Sequence, residues 1–108
     1  MTNITFYRKN DKIIGFEVFG HAGKNERNGH DLLCCEISTV AQLAVVGISE
    51  VAKIKKCYKI HDGYLEIHLS EKDADNEKIQ FLFETCLKSF KSIVINEEKY
   101  AKLEVKNV

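Results

Sequence analysis

Cys34 is the side chain in this sequence best placed to act as a nucleophile. It follows Asp31 by three positions, and Asp31 is a plausible N-cap for the apolar segment after it. Unpaired backbone N–H groups at a helix start favour a thiolate, the nucleophile that acyl transfer requires. The same N–H groups can stabilise an oxyanion. The competing interpretation, which position alone favours, is a small buried hydrophobe at the start of an apolar helix.

His21 is the candidate base for this thiol. It directly follows Gly20 at the end of a strand-like segment. A histidine there can lean over a neighbouring helix N-terminus and accept a proton from a thiol, although a solvent-facing histidine is the competing interpretation. His30 could be a second base, but an exposed loop residue is the favoured interpretation. Ser38 lies one helical turn beyond Cys34 and shares its face, where it could shape a pocket.

The segment between the base and the thiol, residues 21–30, is polar and is bracketed by Gly20, Gly23 and Gly29. Glycine permits positive φ and sharp bends. A loop hinged in this way could close over a peptide, whereas the competing interpretation is an ordinary mobile loop.

Two antiparallel hairpins are predicted from alternating segments on either side of turn signals. Residues 3–9 and 12–20 flank Asn10-Asp11, and residues 57–61 and 64–70 flank Asp62-Gly63. His21 directly follows the second strand of the first hairpin.

Two helices and a last strand complete the pattern. Apolar residues at steps of three and four predict a helix from 31 to about 54, which carries Cys34. A second amphipathic helix begins in the acidic stretch 70–76 and runs to about 92, and residues 101–105 predict a short strand. The order β-β-α-β-β-α-β predicts an α+β fold, a two-layer sandwich in which two helices cover one face of a mostly antiparallel sheet.

Length and composition narrow the class of protein. A chain of 108 residues fits one domain, 1–108. Sixteen basic residues balance sixteen acidic ones, which argues against a broad basic surface that binds nucleic acid.

No unbroken apolar stretch of about 18 residues is present, so we expect no membrane span. The first residues are typical of a strand rather than a signal peptide, which favours the cytosol. The exposed sheet face or the very apolar first helix could support a dimer.

The four cysteines show no CxxC spacing, so the sequence does not predict a usual zinc or redox site. Cys57 and Cys86 are typical of small buried hydrophobes. A metal cluster of His21, His30, Cys34 and Cys35 is disfavoured because no ligand spacing supports it.

The segment that holds these residues resembles a known family. Gly20-His21-Ala22, a short polar loop, and Gly29-x-Asp31-Leu32-Leu33-Cys34 followed by Ser38 are similar to the ribosomal-processing cysteine protease family, Prp. The length and the hairpin–helix–hairpin–helix order are similar as well, so the resemblance covers essentially the whole chain.

The resemblance implies a cytoplasmic cysteine endopeptidase that removes an N-terminal extension from a large-subunit ribosomal protein, after an aromatic residue. It implies His21 as base, Cys34 as nucleophile, and the loop 22–30 as the segment that admits the peptide, with Gly20, Ala22, Gly23, Gly29, Asp31 and Ser38 around the site. It also implies a homodimer and no cofactor. Cys35 is the alternative thiol, but adjacent helical residues point about 100° apart, so only one of the two can face His21.

Two other functions stay open at this point. One is a non-catalytic ribosome-associated binding module on the same scaffold. The other is a metal-binding or redox module that uses Cys34, Cys35 and the histidines.

Overall fold

The structure, a computed structural model, describes residues 1–21 and 32–108. The roles expected of Ala22, Gly23, Gly29, His30 and Asp31, and of the loop they belong to, therefore lie outside the described residues. The described elements are, in chain order, β1 (Thr2–Lys9), β2 (Lys12–Phe19), α1 (Leu32–Val46), β3 (Tyr58–His61), β4 (Tyr64–His68), α2 (Glu71–Ala74), α3 (Glu77–Val94) and β5 (Ala101–Asn107).

The strands form one five-stranded sheet in the order β3-β4-β2-β1-β5. All neighbours are antiparallel except β5, which runs parallel to β1. Both predicted hairpins are confirmed, with Lys9 opposite Lys12 and His61 opposite Tyr64 across their two-residue turns. The α+β class and the mostly antiparallel sheet are confirmed with them.

Helix α1 follows the predicted apolar spacing, and its buried residues are Leu33, Ile37, Ala41, Ala44 and Val45. The regular helix ends earlier than expected, at Val46, and continues as a π-helical segment, Gly47–Val51.

The second predicted helix is in fact two helices. The Ser70 hydroxyl accepts a hydrogen bond from the Asp73 N–H at 3.2 Å and caps α2, while Asn76 Oδ1 accepts one from the Lys78 N–H at 2.9 Å and caps α3. Two N-caps six residues apart stop one helix and start another. The expectation of a single helix over this stretch was wrong for that reason.

Four phenylalanines join the sheet to α3. Phe6 and Phe16 stack across β1 and β2 with ring centroids 4.7 Å apart, and Phe90 meets both rings edge-on at 5.9 and 5.7 Å. Phe83 meets Phe16 edge-on at 6.1 Å. All four side chains are fully buried, so the core lies between this face of the sheet and the helices.

We expected no membrane span because the sequence holds no unbroken apolar stretch of about 18 residues, but one helical segment among the described residues passes a test of length and mean hydropathy. Residues Leu32–Val51 are long and apolar enough by length and composition, with a mean hydropathy of 1.8. Scattered polar residues interrupt the apolar run but do not lower the mean enough. The core helix of a soluble protein passes the same test, and Ile37, Ala41 and Ile48 on this segment are buried in the core.

Candidate active site

The end of β2, the start of α1 and the β3–β4 turn meet around a cavity of about 270 Å³. Its walls are formed by Thr2, Val18, Gly20, His21, Cys34, Ile37, Ser38, Ala41, Gln42 and residues 60–65. His21 and Cys34, the two side chains singled out for chemistry, thus face one space from two different elements. A larger cavity of about 600 Å³, on the sheet and beside Cys57, is lined by neither of them.

The main chain turns sharply at Gly20, just before His21. Gly20 has φ +93°, a conformation that side-chain-bearing residues rarely adopt. Its N–H donates to the Gly63 carbonyl at 2.8 Å, which ties the end of β2 to the β3–β4 turn. This bond fixes where the histidine leaves the sheet.

Cys34 is the third residue of α1 and is partly buried, whereas Cys35 next to it is exposed. Cys34 lines the cavity and Cys35 does not, as expected for neighbours that point about 100° apart. In the described part of α1, the first turn carries no carboxylate. The positive end of the helix dipole is therefore not opposed by an acidic side chain of that turn.

Ser38 stands one helical turn beyond Cys34 and also lines the cavity. Its hydroxyl oxygen accepts a hydrogen bond from the Gln42 amide at 2.7 Å. These two residues form a polar patch on a wall that Ile37 and Ala41 otherwise make apolar.

Several wall residues were not singled out from the sequence. Thr2 is 1% exposed, and its hydroxyl has no hydrogen-bond partner among the described residues. Alternation with Ile4 and Phe6 could have placed it inward, but not beside a thiol. Residues 60–65 were predicted only as a hairpin, because no local signal reports which distant loop a turn will touch.

The arrangement can be compared with known proteins at this point. The sequence model of the family described as cysteine protease Prp matches residues 1–102. The chain belongs to this family. It is therefore a cysteine protease, and its fold is that of a Prp-family enzyme.

Solved structures agree on the fold of this Prp-family protease. SMU.848 from Streptococcus mutans is 28% identical with a TM-score of 0.81, over 100% of this chain and 96% of that one. The essential ribosomal processing protease Prp from S. aureus, in complex with a covalently linked product peptide, is 22% identical with a TM-score of 0.85, over 98% of this chain and 100% of that one. The same enzyme with a substrate peptide is 19% identical with a TM-score of 0.78. A search of curated proteins gave no match.

Two of the four thiols in this Prp-family chain are poorly suited to attack a peptide bond. Burial raises the pKa of Cys86 to about 11, and burial also raises the pKa of Cys57. Both remain neutral thiols near neutral pH, and a neutral thiol is a weak nucleophile. Cys34 and Cys35 are therefore the two candidate nucleophiles. Within residues 1–21 and 32–108 no group of three or more His, Cys, Asp or Glu side chains is placed to hold a metal ion.

Proposed function

We propose that this chain, as one catalytic domain over residues 1–108, removes the N-terminal extension of a large-subunit ribosomal protein. Cys34 is the nucleophile and His21 the general base. The observation that carries this assignment is that these two side chains, thirteen positions apart, line the same small cavity from different elements. The substrate class is supported by the S. aureus relative, a ribosomal processing protease crystallised with a substrate peptide.

The reaction begins when the His21 imidazole takes the proton of the Cys34 thiol. The sulfur attacks the carbonyl carbon of the scissile peptide bond, and the carbonyl oxygen takes the negative charge. Backbone N–H groups in the first turn of α1, which have no partner within the helix, stabilise that oxyanion. A positioned general base typically contributes about 10²–10⁴-fold in rate.

The second half of the reaction restores the thiol. The His21 imidazolium gives its proton to the leaving amine, the C–N bond breaks, and the peptide acyl group stays on Cys34 as a thioester. A water molecule, deprotonated by His21, attacks the thioester and releases the new carboxylate. The sulfur regains the proton, and no cofactor is needed for any step.

Ser38 and Gly20 belong to the substrate-binding part of the proposal. Ser38 lies in the cavity wall beside the thiol, and Gly20 sets the path of the chain into His21. We assign Ala22, Gly23, Gly29 and Asp31 to the same site on the resemblance alone.

We also propose that the enzyme acts in the cytosol as a homodimer. The partly buried helix α1 leaves Leu32, Leu43 and Val46 exposed on one side, 56%, 60% and 49% respectively. These positions lie on one side of the helix, away from the cavity that Cys34 lines, and the exposed residues Glu36 and Thr39 lie between Leu32 and Leu43 on that side. We propose that a second copy of the chain packs against these exposed apolar side chains.

The test of the protease assignment is incubation of the extended ribosomal protein with purified wild type, Cys34→Ala and Cys35→Ala, followed by intact-mass measurement. We expect wild type and Cys35→Ala to release the extension, and Cys34→Ala to lose at least about 10³-fold in rate. Cys35→Ala is the matched control because it removes the neighbouring thiol from the exposed side. Normal cleavage by Cys34→Ala would refute the proposal, and no cleavage by wild type would favour a binding module on this scaffold.

A further inference from the structure

The β3–β4 turn lies directly against the imidazole of His21. A Cβ built on Gly63 would stand 3.0 Å from His21 Nε2 and 3.6 Å from both Cδ2 and Cε1. The first of these distances is tighter than nine in ten real Cβ contacts, so a side chain at 63 requires the ring to shift by a few tenths of an ångström. The absence of a side chain at Gly63 therefore leaves room for the ring in its present position.

The main chain next to His21 is held by the same turn. The Gly20 N–H donates to the Gly63 carbonyl at 2.8 Å, and a Cβ on Gly20 would stand 2.5 Å from the Met1 carbonyl oxygen. The residue before the histidine is thus confined between the start of β1 and the turn. Residue 63 therefore contacts this segment twice: its carbonyl binds the main chain just before His21, and its Cα lies against the ring of His21.

A positive φ does not by itself exclude a side chain at this position. Gly63 is the second residue of its two-residue turn and has φ +72°. Asp11 occupies the same position of the β1–β2 turn with φ +68°, and there the fold accepts a side chain. The two positions share a left-handed φ, although the residue before them differs: Asn10 has φ +52°, whereas Asp62 has no positive φ. They also differ in what lies against them, because only Gly63 approaches the imidazole of His21.

We infer that Gly63 is a positioning residue for His21, and that the β3–β4 turn sets the location of the imidazole relative to Cys34. This inference rests on the proposed roles of His21 and Cys34. General-base catalysis requires the two groups within hydrogen-bond reach, and a misplacement of about 1 Å can cost about 10²-fold in rate. A side chain at 63 then lowers catalysis by displacing the ring. Because residue 63 also lines the cavity, KM reports separately any contact of that side chain with the substrate.

The experiment compares Gly63→Ala and Gly63→Asn with Asp11→Ala. Asp11→Ala is the matched control, since it puts alanine at the same left-handed turn position at the other end of β2. Gly63→Asn is the second variant because asparagine tolerates positive φ and so limits any loss of stability, yet it still carries a Cβ. Each variant is measured for melting temperature, kcat and KM, the pH dependence of Cys34 alkylation, and the imidazole ¹⁵N shifts of His21.

We expect both Gly63 variants to lose about 10-fold in kcat, less than the roughly 10²-fold that a displacement of 1 Å costs, with little change in KM. We also expect a shifted pH profile of Cys34 alkylation and displaced His21 resonances. Asp11→Ala should lower the melting temperature, because alanine replaces aspartate at a positive φ, with kcat and resonances of the wild type. Wild-type kcat and unshifted His21 signals in Gly63→Asn would overturn the inference.

The spectroscopic and alkylation readouts do not need the ribosomal substrate. If wild type fails to cleave the extended ribosomal protein, the proposed function fails. Displaced His21 signals in the Gly63 variants alone would still support positioning, and unchanged signals would refute it.

Discussion

At the scale of single residues, the four thiols of this chain differ in burial and therefore in reactivity. Cys57 and Cys86 are buried, Cys34 is partly buried in the cavity wall, and Cys35 is exposed. Burial disfavours the charged thiolate, which is why the pKa of Cys86 rises to about 11. A raised thiol pKa stabilises the fold at low pH. That contribution is complete below the ordinary pKa of about 8.5 and is lost as pH rises toward 11.

Alkylation of the folded protein should follow this division. We expect iodoacetamide at pH 7.5 to modify Cys34 and Cys35 quickly, and to leave Cys57 and Cys86 unmodified until the chain unfolds. Mass spectrometry of digested samples with and without denaturant measures each site. Cys35→Ser should leave Cys34 as the one fast site. Fast modification of Cys86 in the folded protein would contradict the prediction.

At the scale of elements, one glutamine joins three segments that lie apart in sequence. Gln80 on α3 accepts a hydrogen bond from the Ile13 N–H at 2.9 Å and donates to the Ile13 carbonyl at 2.7 Å. It also donates to the Ala74 carbonyl at the end of α2, at 2.8 Å. Ile13 lies where the pairing of β1 with β2 shifts register, so its backbone needs a partner from outside the ladder.

Gln80→Ala should lower the free energy of unfolding by about 2–3 kcal/mol, because part-buried backbone groups lose their partners. For a domain of this size that corresponds to a melting temperature lower by roughly 10 °C. Thr85→Ala is the control on the same helix, since it removes one exposed hydroxyl bonded to the Phe81 carbonyl. A loss no larger than that of the control, measured by thermal and urea unfolding, would show that Gln80 is not needed there.

The sequence predicts the elements well where the determinant is local. Alternation and two turn dipeptides define both hairpins, and apolar spacing defines α1 and most of α3. It does not predict the break at Asp75 and Asn76, because two competing N-caps are each compatible with one continuous amphipathic helix. The partner and direction of β5 are also unpredicted, since a strand pattern at residues 101–105 carries no information about β1.

In the candidate site, too, local sequence patterns predict some features and miss others. The positions of His21 at a strand end and of Cys34 near a helix start follow from local pattern, and the motif then suggests their pairing. The Thr2 hydroxyl, the Ser38–Gln42 bond and the approach of Gly63 to the imidazole depend on contacts between distant segments. No spacing in the sequence reports them.

At the scale of the whole molecule, the two surfaces that could support a dimer differ in charge. The open face of the sheet carries Glu17 opposite Glu66, and Glu104 lies two strands away in the same row. The Tyr7 hydroxyl donates to Glu17, and the Tyr64 hydroxyl donates to Glu66 and Glu17, which raises the pKa of both tyrosines. Lys59 at the end of the row pairs with Glu66 at 3.8 Å, so three carboxylates and one ammonium leave the row with a net negative charge. Packing this face on its own copy would bring like charges together. The side of α1 that exposes Leu32, Leu43 and Val46 carries one carboxylate within the helix, Glu36.

Leu43→Glu should therefore convert the proposed homodimer to a monomer. A charge at the centre of an apolar contact is left without a partner when the two copies meet. Sedimentation equilibrium over micromolar concentrations measures the mass of each form. Phe81→Glu on α3, where the phenylalanine is 76% exposed, is the control that should remain dimeric. A monomeric wild type, or dissociation by Phe81→Glu alone, would place any self-association elsewhere.

The parallel pairing of β5 with β1 has a consequence for the order of biosynthesis. The outer edge of β1 has no strand beside it until residues 101–107 have been translated, and Thr2 cannot give its N–H to the Tyr100 carbonyl before then. An unpaired edge strand is a template for aggregation, and a contact across almost the entire chain forms late. The nascent polypeptide thus carries an open sheet edge while it is being made. Its first strand, which also positions Gly20, is completed only when translation reaches the last one.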